Sequence, residues 1–287
     1  MVALLFGSTF MDVRAETPQE LASTYAPVLH FTAGEKFYPC PVDYLINSSV
    51  LMHRNSDGTA TLVDSNPTVY DLGSYTGTDL FLNNKLGNED AIAADYDSKA
   101  SSLGYYSYVN IVNTTSGVVI QYWLFYAYNN GPLNDHQGDL EVIEIFLTAS
   151  GSPQRALYSQ HGAGENAAWG DVEKVGTHPV VYVGQGSHAN YFRSYQGKIG
   201  IENDIVGSDG KTIMPTDLTL VLLGQPSNHP PDQSWLDFAG RWDSGEPTKT
   251  WPLEGLVRSG PFSIRTASGG LRLRIILVKR SPSAATT

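Results

Sequence analysis

Apolar and polar positions along this chain repeat mostly with the two-residue period of β-strands, and Gly, Asn, Asp and Pro separate the apolar runs. Two segments favour helix instead. One covers residues 18–25, where Thr17 precedes the helix and Glu20 follows three positions later, the spacing of a capping box. The other covers residues 88–98. Strands are predicted at residues 117–128, 140–148, 154–159, 179–184, 218–223 and 271–278.

Several of the predicted strands are apolar at both odd and even positions. Such a strand is covered on both faces, whereas a strand in a sheet with one solvated face alternates. We therefore predict an all-β fold, a two-sheet β-sandwich of jelly-roll type with a few short helices. Residues 16–280 are predicted to form a single domain, because no repeat or linker divides them.

Composition adds several exclusions to this picture. Of the 287 residues, 41% are apolar and 16% are charged, as in a folded globular chain. The formal net charge is −11 and Lys and Arg form no run, so nucleic acid is not an expected partner. The single cysteine, Cys40, excludes an internal disulfide. No apolar stretch reaches the ~20 residues that span a bilayer, so no transmembrane segment is predicted. The sequence leaves the oligomeric state open.

The two ends of the chain and two sequons favour the secretory pathway or the extracellular space. Residues 1–15 are mostly apolar and are predicted to be a signal peptide, although no basic residue precedes Arg14. A disordered or docked N-terminal strand is the alternative. Asn47 and Asn113 each begin an N-glycosylation sequon and are predicted to carry glycans. Residues 281–287 are small and polar, which is typical of a flexible tail.

The predicted strand at residues 117–128 is rich in aromatic side chains. Alternation places Tyr122, Tyr126 and Tyr128 on one face and Trp123 and Phe125 on the other. Both sets could belong to the core. Alternatively, Tyr122, Tyr126, Tyr128 and Trp123 could bind a substrate, because each ring offers apolar area together with a polar group. Alternation does not choose between these interpretations.

An acidic motif with one histidine carries the clearest candidate chemistry. Asp139 and Glu141 are two residues apart and point the same way if a strand has begun there. Two such carboxylates repel each other unless a cation or a proton separates them. With His136 they form a donor set that suits Mg, Mn, Ca or Zn. The alternative is a loop with solvated carboxylates.

Two further histidines, His161 and His188, follow predicted strands and are flanked by Gly and small residues. Side chains at the ends of different strands can meet at one edge of a sheet. We therefore expect one catalytic site, formed by His136, Asp139, Glu141, His161 and His188.

Templates for covalent or cofactor chemistry are absent from the sequence. It contains no nucleophile elbow, no H-E-x-x-H, no P-loop and no dinucleotide fingerprint. Cys40 lies between two prolines and has no basic neighbour that would lower the pKa of its thiol. No organic cofactor is expected, and a divalent cation remains the one inorganic group that the motif suggests.

Six ordered blocks of the sequence, spread over residues 21–261, resemble the Vps62-type domain. The acidic motif also resembles the G-H-R-H-D-W-E motif of necrosis-inducing plant toxins at His136, Asp139 and Glu141. The toxin resemblance implies a β-sandwich that holds a divalent cation at this motif. Gly138 stands where the toxins have a second His, and Leu140 where they have Trp, so one ligand is lost. The blocks are residues 25–31, 121–126, 135–141, 158–162, 177–183 with 187–191, and 240–242 with 260–261.

A further resemblance is to secreted fungal proteins of specialised metabolism, among them hetero-Diels–Alderases that join a tropolone-derived quinone methide to a humulene-type terpene. It implies a cofactor-independent enzyme acting on hydrophobic small molecules, with alignment of the two partners supplying much of the catalysis. His136, His161 or His188 would donate hydrogen bonds or help to expel water. Two alternatives stay open: a cation-dependent hydrolase or glycolipid-binding toxin, and a non-enzymatic sorting or carbohydrate-binding module.

Overall fold

The computed structural model describes residues 16–131, 135–161, 163–199, 203–225 and 228–243. The predicted signal peptide at residues 1–15, the predicted strand at 271–278 and the predicted tail at 281–287 lie outside the described residues. The predicted domain of residues 16–280 also extends beyond them. Within the described part, no helix is both long and apolar enough to cross a membrane.

A six-stranded sheet forms the centre of the molecule. Adjacent strands are antiparallel, except for the parallel pair at one edge. Four of the six strands correspond to strands predicted from the sequence. The strand predicted at residues 140–148 begins earlier, at His136. In spatial order the strands are β16 (Leu218–Leu222), β5 (Tyr105–Thr114), β6 (Gly117–Asn129), β7 (His136–Thr148), β8 (Pro153–Gln160) and β9 (Ala163–Ala168).

Smaller sheets complete the described strands. A five-stranded sheet contains β10 (Lys174–Val175), β11 (His178–Val183), β1 (Val28–Phe31) and β15 (Thr212–Ile213) in that order, with β12 (Asn190–Tyr191) paired to β11. A three-stranded sheet has the order β3 (Ala60–Asp64), β2 (Ser49–Arg54) and β4 (Leu80–Asn84). The remaining pair is β13 (Lys198–Ile199) and β14 (Asp204–Ile205).

Helices are few and short, as predicted. The first, α1 (Pro18–Thr24), begins with the predicted capping box, in which the Thr17 hydroxyl accepts from the Glu20 amide and the Glu20 carboxylate accepts from the Thr17 amide. Asn88 caps α3 (Glu89–Leu103), which continues past the predicted end to Gly104. The other helices are α2 (Asp43–Asn47) and the 3₁₀ turns Leu72–Ser74, Pro215–Asp217 and Pro231–Asp237.

Apolar side chains form a large cluster on each face of the central sheet. Tyr122 and Tyr126 of β6 belong to the cluster beneath α1 and the five-stranded sheet, and both are 0% exposed. Trp123 and Phe125 belong to the other cluster, beneath α2, α3 and the three-stranded sheet. β6 is therefore buried on both faces, and the predicted all-β sandwich is confirmed. Helices and a third sheet cover the second face.

Tyr128 departs from the predicted alternation. It was expected on the face of Tyr126, but its half-buried ring packs in the opposite cluster, 6.0 Å from the Phe37 ring. Tyr128 pairs across the sheet with Gln137, next to Gly138, whose φ is +65°. A left-handed residue interrupts the pleat, so the regular alternation of side chains stops at this end of the sheet.

Candidate functional site

Polar side chains from several parts of the chain meet at one end of the central sheet. Asp139 and Glu141 lie near the start of β7, on the face that carries Tyr126. His161 lies in the turn that joins β8 to β9, and His188 lies in the loop between β11 and β12. Both loops return the chain at the same end of the sandwich, so that the four side chains approach one another.

His188 is the buried centre of this arrangement. Its ring is fully buried and stacks on Tyr126, with centroids 3.8 Å apart and planes 6° apart. Nδ1 lies 2.9 Å from Asp139 Oδ2 and Nε2 lies 3.5 Å from Glu35 Oε1. Burial alone would lower the pKa of this imidazole, but the two carboxylates outweigh it and raise the pKa to about 9. At neutral pH His188 is therefore an imidazolium between two carboxylates.

Backbone amides hold the Glu35 carboxylate in place. Oε1 accepts from the amides of Lys36 and Phe37 at 2.8 and 2.9 Å, and Oε2 accepts from the amide of Gly186 at 2.8 Å. Burial acts to raise the pKa of Glu35, but the His188 charge and these donors outweigh it and lower the pKa. Glu35 is thus a fixed counter-ion for His188.

The pKa of Glu141 is shifted in the direction opposite to those of Glu35 and Asp139. Burial and then the nearby Asp139 charge raise the pKa of Glu141 well above its ordinary value. Its carboxyl group contacts the Ser159 hydroxyl, which also accepts from the amide of Val142 at 2.8 Å. The backbone amide of His161 hydrogen-bonds to the same carboxyl group. The raised pKa of Glu141, which favours its neutral form, and the His188 charge beside Asp139 both act to relieve the repulsion expected between Asp139 and Glu141.

Asp204 forms a second centre, which reaches the surface. Its carboxylate accepts from His161 Nε2 at 2.7 Å, from the Ser187 hydroxyl at 2.6 Å and from the Tyr191 hydroxyl at 2.6 Å. Burial acts to raise the pKa of Asp204, but these donors outweigh it and lower the pKa. The His161 side chain is 21% exposed. His161 therefore connects the buried Asp204 carboxylate to the surface.

Backbone strain is concentrated at this end of the sandwich. Among the described residues other than glycine, only His161, His188 and Asn203 have positive φ, at 55°, 55° and 59°. Asn203 directly precedes Asp204. Such left-handed backbone costs free energy in a residue with a side chain, and it accumulates at functional sites, where the surrounding structure enforces it.

The sequence model of the family described as vacuolar protein sorting-associated protein 62, Vps62, matches residues 11–249. The chain belongs to the Vps62 family. No protein of curated function matches it in sequence.

Solved structures similar to this Vps62-family chain include necrosis-inducing proteins. One is Necrosis and Ethylene inducing Protein 2 from the causal agent of cocoa's Witches Broom disease, with TM-score 0.42, 13% identity, and coverage of 79% of this chain and 85% of that chain. NLPPya in complex with mannosamine has TM-score 0.40 and 14% identity over 76% of this chain and 78% of that chain. The non-toxic HaNLP3 protein has TM-score 0.40 and 13% identity over 79% and 86%.

The structure of this Vps62-family protein brings the five predicted catalytic residues into one region. His136 is half-buried, and its Nδ1 lies 3.0 Å from the Gly138 carbonyl oxygen. Burial acts to raise the pKa of Asp139, but the hydrogen bond and charge of His188, with smaller contributions from His136 and His161, outweigh it and lower the pKa. Their catalytic role stays a prediction.

Sequence reasoning missed half of the network. Glu35 follows a glycine turn and Asp204 lies in a two-residue strand, so neither stands in a periodic pattern. Ser187 is adjacent to the predicted His188, which was the one available signal. The other missed members, Ser159 and Tyr191, belong to strands and have no distinguishing neighbours.

The divalent cation that the toxin resemblance implies stays a prediction, and the side chains of the acidic motif contact protein groups in this structure. Asp139 is paired with His188, and Glu141, whose pKa burial raises, contacts Ser159. In the part of the chain that the structure describes, no three His, Cys, Asp or Glu side chains are grouped so that they could hold a metal ion. His188 supplies the positive charge that the two carboxylates need.

Three of the four predicted substrate-binding aromatics lie in the core, and the fourth, Tyr128, is half-buried. Trp123 is 5% exposed, whereas Tyr122 and Tyr126 are completely buried. Tyr122 donates to the carbonyl oxygen of Ala22 in α1. Of the two interpretations given by the sequence, the structure favours the core one, in which Tyr126 supports the His188 ring.

Cys40 is fully buried, and burial raises the pKa of its thiol well above the ordinary value. The thiol is therefore not available as a nucleophile. Asn47 and Asn113, the predicted glycosylation sites, are both exposed. Whether they carry glycans stays a prediction.

Proposed function

We propose that this Vps62-family protein is a secreted enzyme that acts on hydrophobic small molecules by acid–base chemistry, without a nucleophilic residue or an organic cofactor. The observation that carries the proposal is the geometry of the buried cluster. Glu141, whose pKa is raised by burial and by the Asp139 charge, lies beside the buried pair of Asp139 and His188, whose Oδ2 and Nδ1 atoms are 2.9 Å apart. Paired titratable groups whose pKa values are driven apart are the usual basis of acid–base catalysis.

The energetic cost of the cluster supports a functional role over a purely structural one. Buried charges lose hydration that their mutual attraction only partly restores, so apolar side chains would stabilise the fold equally well. Left-handed backbone at His161 and His188 adds further cost at the same place. A fold maintained against both costs is expected where the residues serve chemistry.

Each residue has a distinct role in the proposed mechanism. His161, held in orientation by Asp204, meets the substrate at the surface and gives or takes a proton. Glu141 lies behind it, linked through the His161 backbone amide, and supplies hydrogen-bonding and proton capacity. The Glu35–His188–Asp139 unit fixes the charge around Glu141 and keeps it protonated.

The finer form of the proposal is an intermolecular hetero-Diels–Alder reaction between a tropolone quinone methide and a terpene. Protonation of a hydroxymethyl tropolone precursor at its hydroxymethyl oxygen lets the C–O bond break and water leave. The ring hydroxyl then returns a proton to the group that acted as the acid, and the neutral quinone methide forms. The diene and the alkene then join without any redox change. A histidine that donates to the enone oxygen would lower the barrier, and alignment of the two partners would supply the larger share. The resemblance noted in the sequence supports this choice of substrate.

The test incubates the purified secreted chain with the hydroxymethyl tropolone precursor and a humulene-type terpene, and follows product by chiral chromatography with mass detection. Glu141→Gln and His161→Gln are expected to lower the rate about a hundredfold or more, the usual contribution of a positioned acid or base. Glu144→Gln is the matched control. Glu144 is also a buried carboxyl in β7 with a raised pKa, but it pairs with Gln121 outside the cluster.

A racemic product formed at the uncatalysed rate would contradict the cycloaddition. Equal activity in Glu141→Gln and Glu144→Gln would contradict the role of the cluster. Saturable glycan binding without turnover would support the carbohydrate-binding alternative instead.

A further inference from the structure

A groove of about 480 Å³ lies between α3 and the segment that follows β1. Its apolar lining comes from Tyr38 and from one face of α3, where Ala93, Tyr96 and Ala100 are spaced three and four residues apart. The small side chains of Ala93 and Ala100 leave room in the groove. Tyr96 is buried, and its hydroxyl accepts from the Tyr38 amide and donates to the Tyr38 carbonyl oxygen. The groove therefore has a rigid wall that suits a flat apolar ring.

Lys211 lies at this groove with unused hydrogen-bonding capacity. Its ammonium group is 4.6 Å from the centre of the Tyr38 ring and 5.2 Å from that of Tyr105. Nζ donates to the Tyr105 hydroxyl at 2.6 Å. Among the described residues no carboxylate forms an ion pair with it, although the charge of Asp97 acts on it from farther away. An ammonium group has three donors, so two remain for a bound anion.

The other charged side chains that line the groove are either already paired or acidic, so Lys211 is the group expected to bind an anion. Lys36 is already paired, with Nζ 2.6 Å from Glu89 and 3.7 Å from Asp90. Glu35 lines the groove, but its carboxylate is turned inward to His188 and is 1% exposed. Asp97 is exposed on α3 and would repel an anion placed near it.

We propose that this groove binds a small organic acid with a flat aromatic ring, the ring between Tyr38 and α3 and the carboxylate on Lys211. The charge-assisted hydrogen bond to Lys211 supplies polarity and direction, and the tyrosine and alanine surfaces supply apolar contact. The site adjoins the acid–base cluster through Glu35, whose carboxylate is turned away from the groove toward His188. It does not rest on the proposed enzymatic function, since binding alone would establish it.

The test is a titration of the full chain with 2-naphthoate, followed by NMR or calorimetry. Saturable binding is expected, together with much weaker binding of 2-naphthamide, which has the same ring but no charge. Lys211→Met is expected to weaken naphthoate binding about tenfold, the usual effect of losing one charge-assisted contact. Lys198→Met makes the same charge change on β13, outside the groove, and is expected to leave binding unchanged.

Three results would overturn the proposal: no saturable binding by the natural chain, equal affinity for the acid and the amide, or unchanged affinity in a folded Lys211→Met. Lys211 also stacks on two rings, so the melting curve of this variant is recorded first. If the variant fails to fold, the comparison of acid with amide decides, because it uses the natural chain alone.

Discussion

At the scale of single residues, His188 shows how neighbouring charges reverse the effect of burial. A buried imidazole is ordinarily neutral, because low polarity disfavours its charged form. Here Glu35 and Asp139 flank both ring nitrogens, and the Tyr126 ring lies against the face of the imidazolium. The charged form is therefore the stable one, and its protonation is coupled to folding.

This coupling predicts a loss of stability in weakly alkaline solution. The pKa of His188 rises from 6.5 to about 9 on folding, so its contribution is complete below pH 6.5 and is lost as the pH approaches 9. The shift corresponds to about 3 kcal/mol of unfolding free energy. Urea denaturation at a series of pH values measures it.

The control for this prediction is His188→Gln, which has no titrating ring. Its unfolding free energy is expected to be lower at neutral pH and to change much less between pH 6.5 and 9. A natural chain whose stability is constant over that range, or a variant that keeps the full slope, would show that His188 is not charged in the folded protein.

At the scale of elements, local signals and distant pairings differ in how well the sequence reveals them. The capping box of α1 lies within four consecutive residues, and the long apolar run of β6 is visible by itself. By contrast, β1 has four residues and pairs in parallel with β11, which lies far along the chain. A strand of four residues contains too few alternations of apolar and polar side chains to be identified from the sequence. Its stability comes from pairing with the neighbouring strand.

At the same scale, the backbone conformation of Gly138 determines the path of the chain at the start of β7, beside the cluster. Its φ is +65°, and a Cβ atom there would lie 2.7 Å from Leu45 Cδ2. Gly138→Ala should therefore lower the unfolding free energy by about 1–3 kcal/mol, through backbone strain and the clash together. Urea denaturation measures the change.

Gly151→Ala separates the two contributions to this loss. Gly151 has a similar φ of +81°, but a Cβ atom there would have nothing within 4 Å. The Gly151→Ala variant is therefore expected to lose about 1 kcal/mol of unfolding free energy, from backbone strain alone. A Gly138→Ala variant as stable as Gly151→Ala would mean that the packing around Leu45 adjusts without cost.

At the scale of the whole molecule, the fold decides which surface features can be recognised once it has formed. Both sequons have exposed asparagines, but their hydroxyl residues differ. Ser49 is fully buried and donates to the carbonyl oxygen of Leu45 at 2.7 Å, whereas Thr115 is exposed. We therefore expect oligosaccharyltransferase to recognise the sequon of Asn47 only before the chain folds. It can recognise the sequon of Asn113 before or after folding.

This difference predicts how the two sites respond to the timing of modification. Chain secreted from a eukaryotic host should carry glycans at both Asn47 and Asn113 if it follows the secretory route. Folded chain made without glycans and then treated with oligosaccharyltransferase should gain glycan at Asn113 alone. Peptide mass mapping measures both occupancies. Modification of the folded chain at Asn47 would show that the α2–β2 segment opens readily.

The sequence by itself determined the class of fold, the principal strands and five residues of the candidate site. These follow from periodicity and from short motifs, which depend on neighbours along the chain. It did not reveal Glu35 or Asp204, nor that Tyr126 supports a histidine.

Only the tertiary structure decided those points, because each depends on groups that are remote in sequence. Glu35 and His188 are brought together by the parallel pairing of β1 with β11, which places the loops that follow both strands side by side. The raised pKa of Glu141 depends on complete burial and on the charge of Asp139, and neither quantity has a local signature. Charge state in this protein is therefore a property of the packed sandwich rather than of the motif.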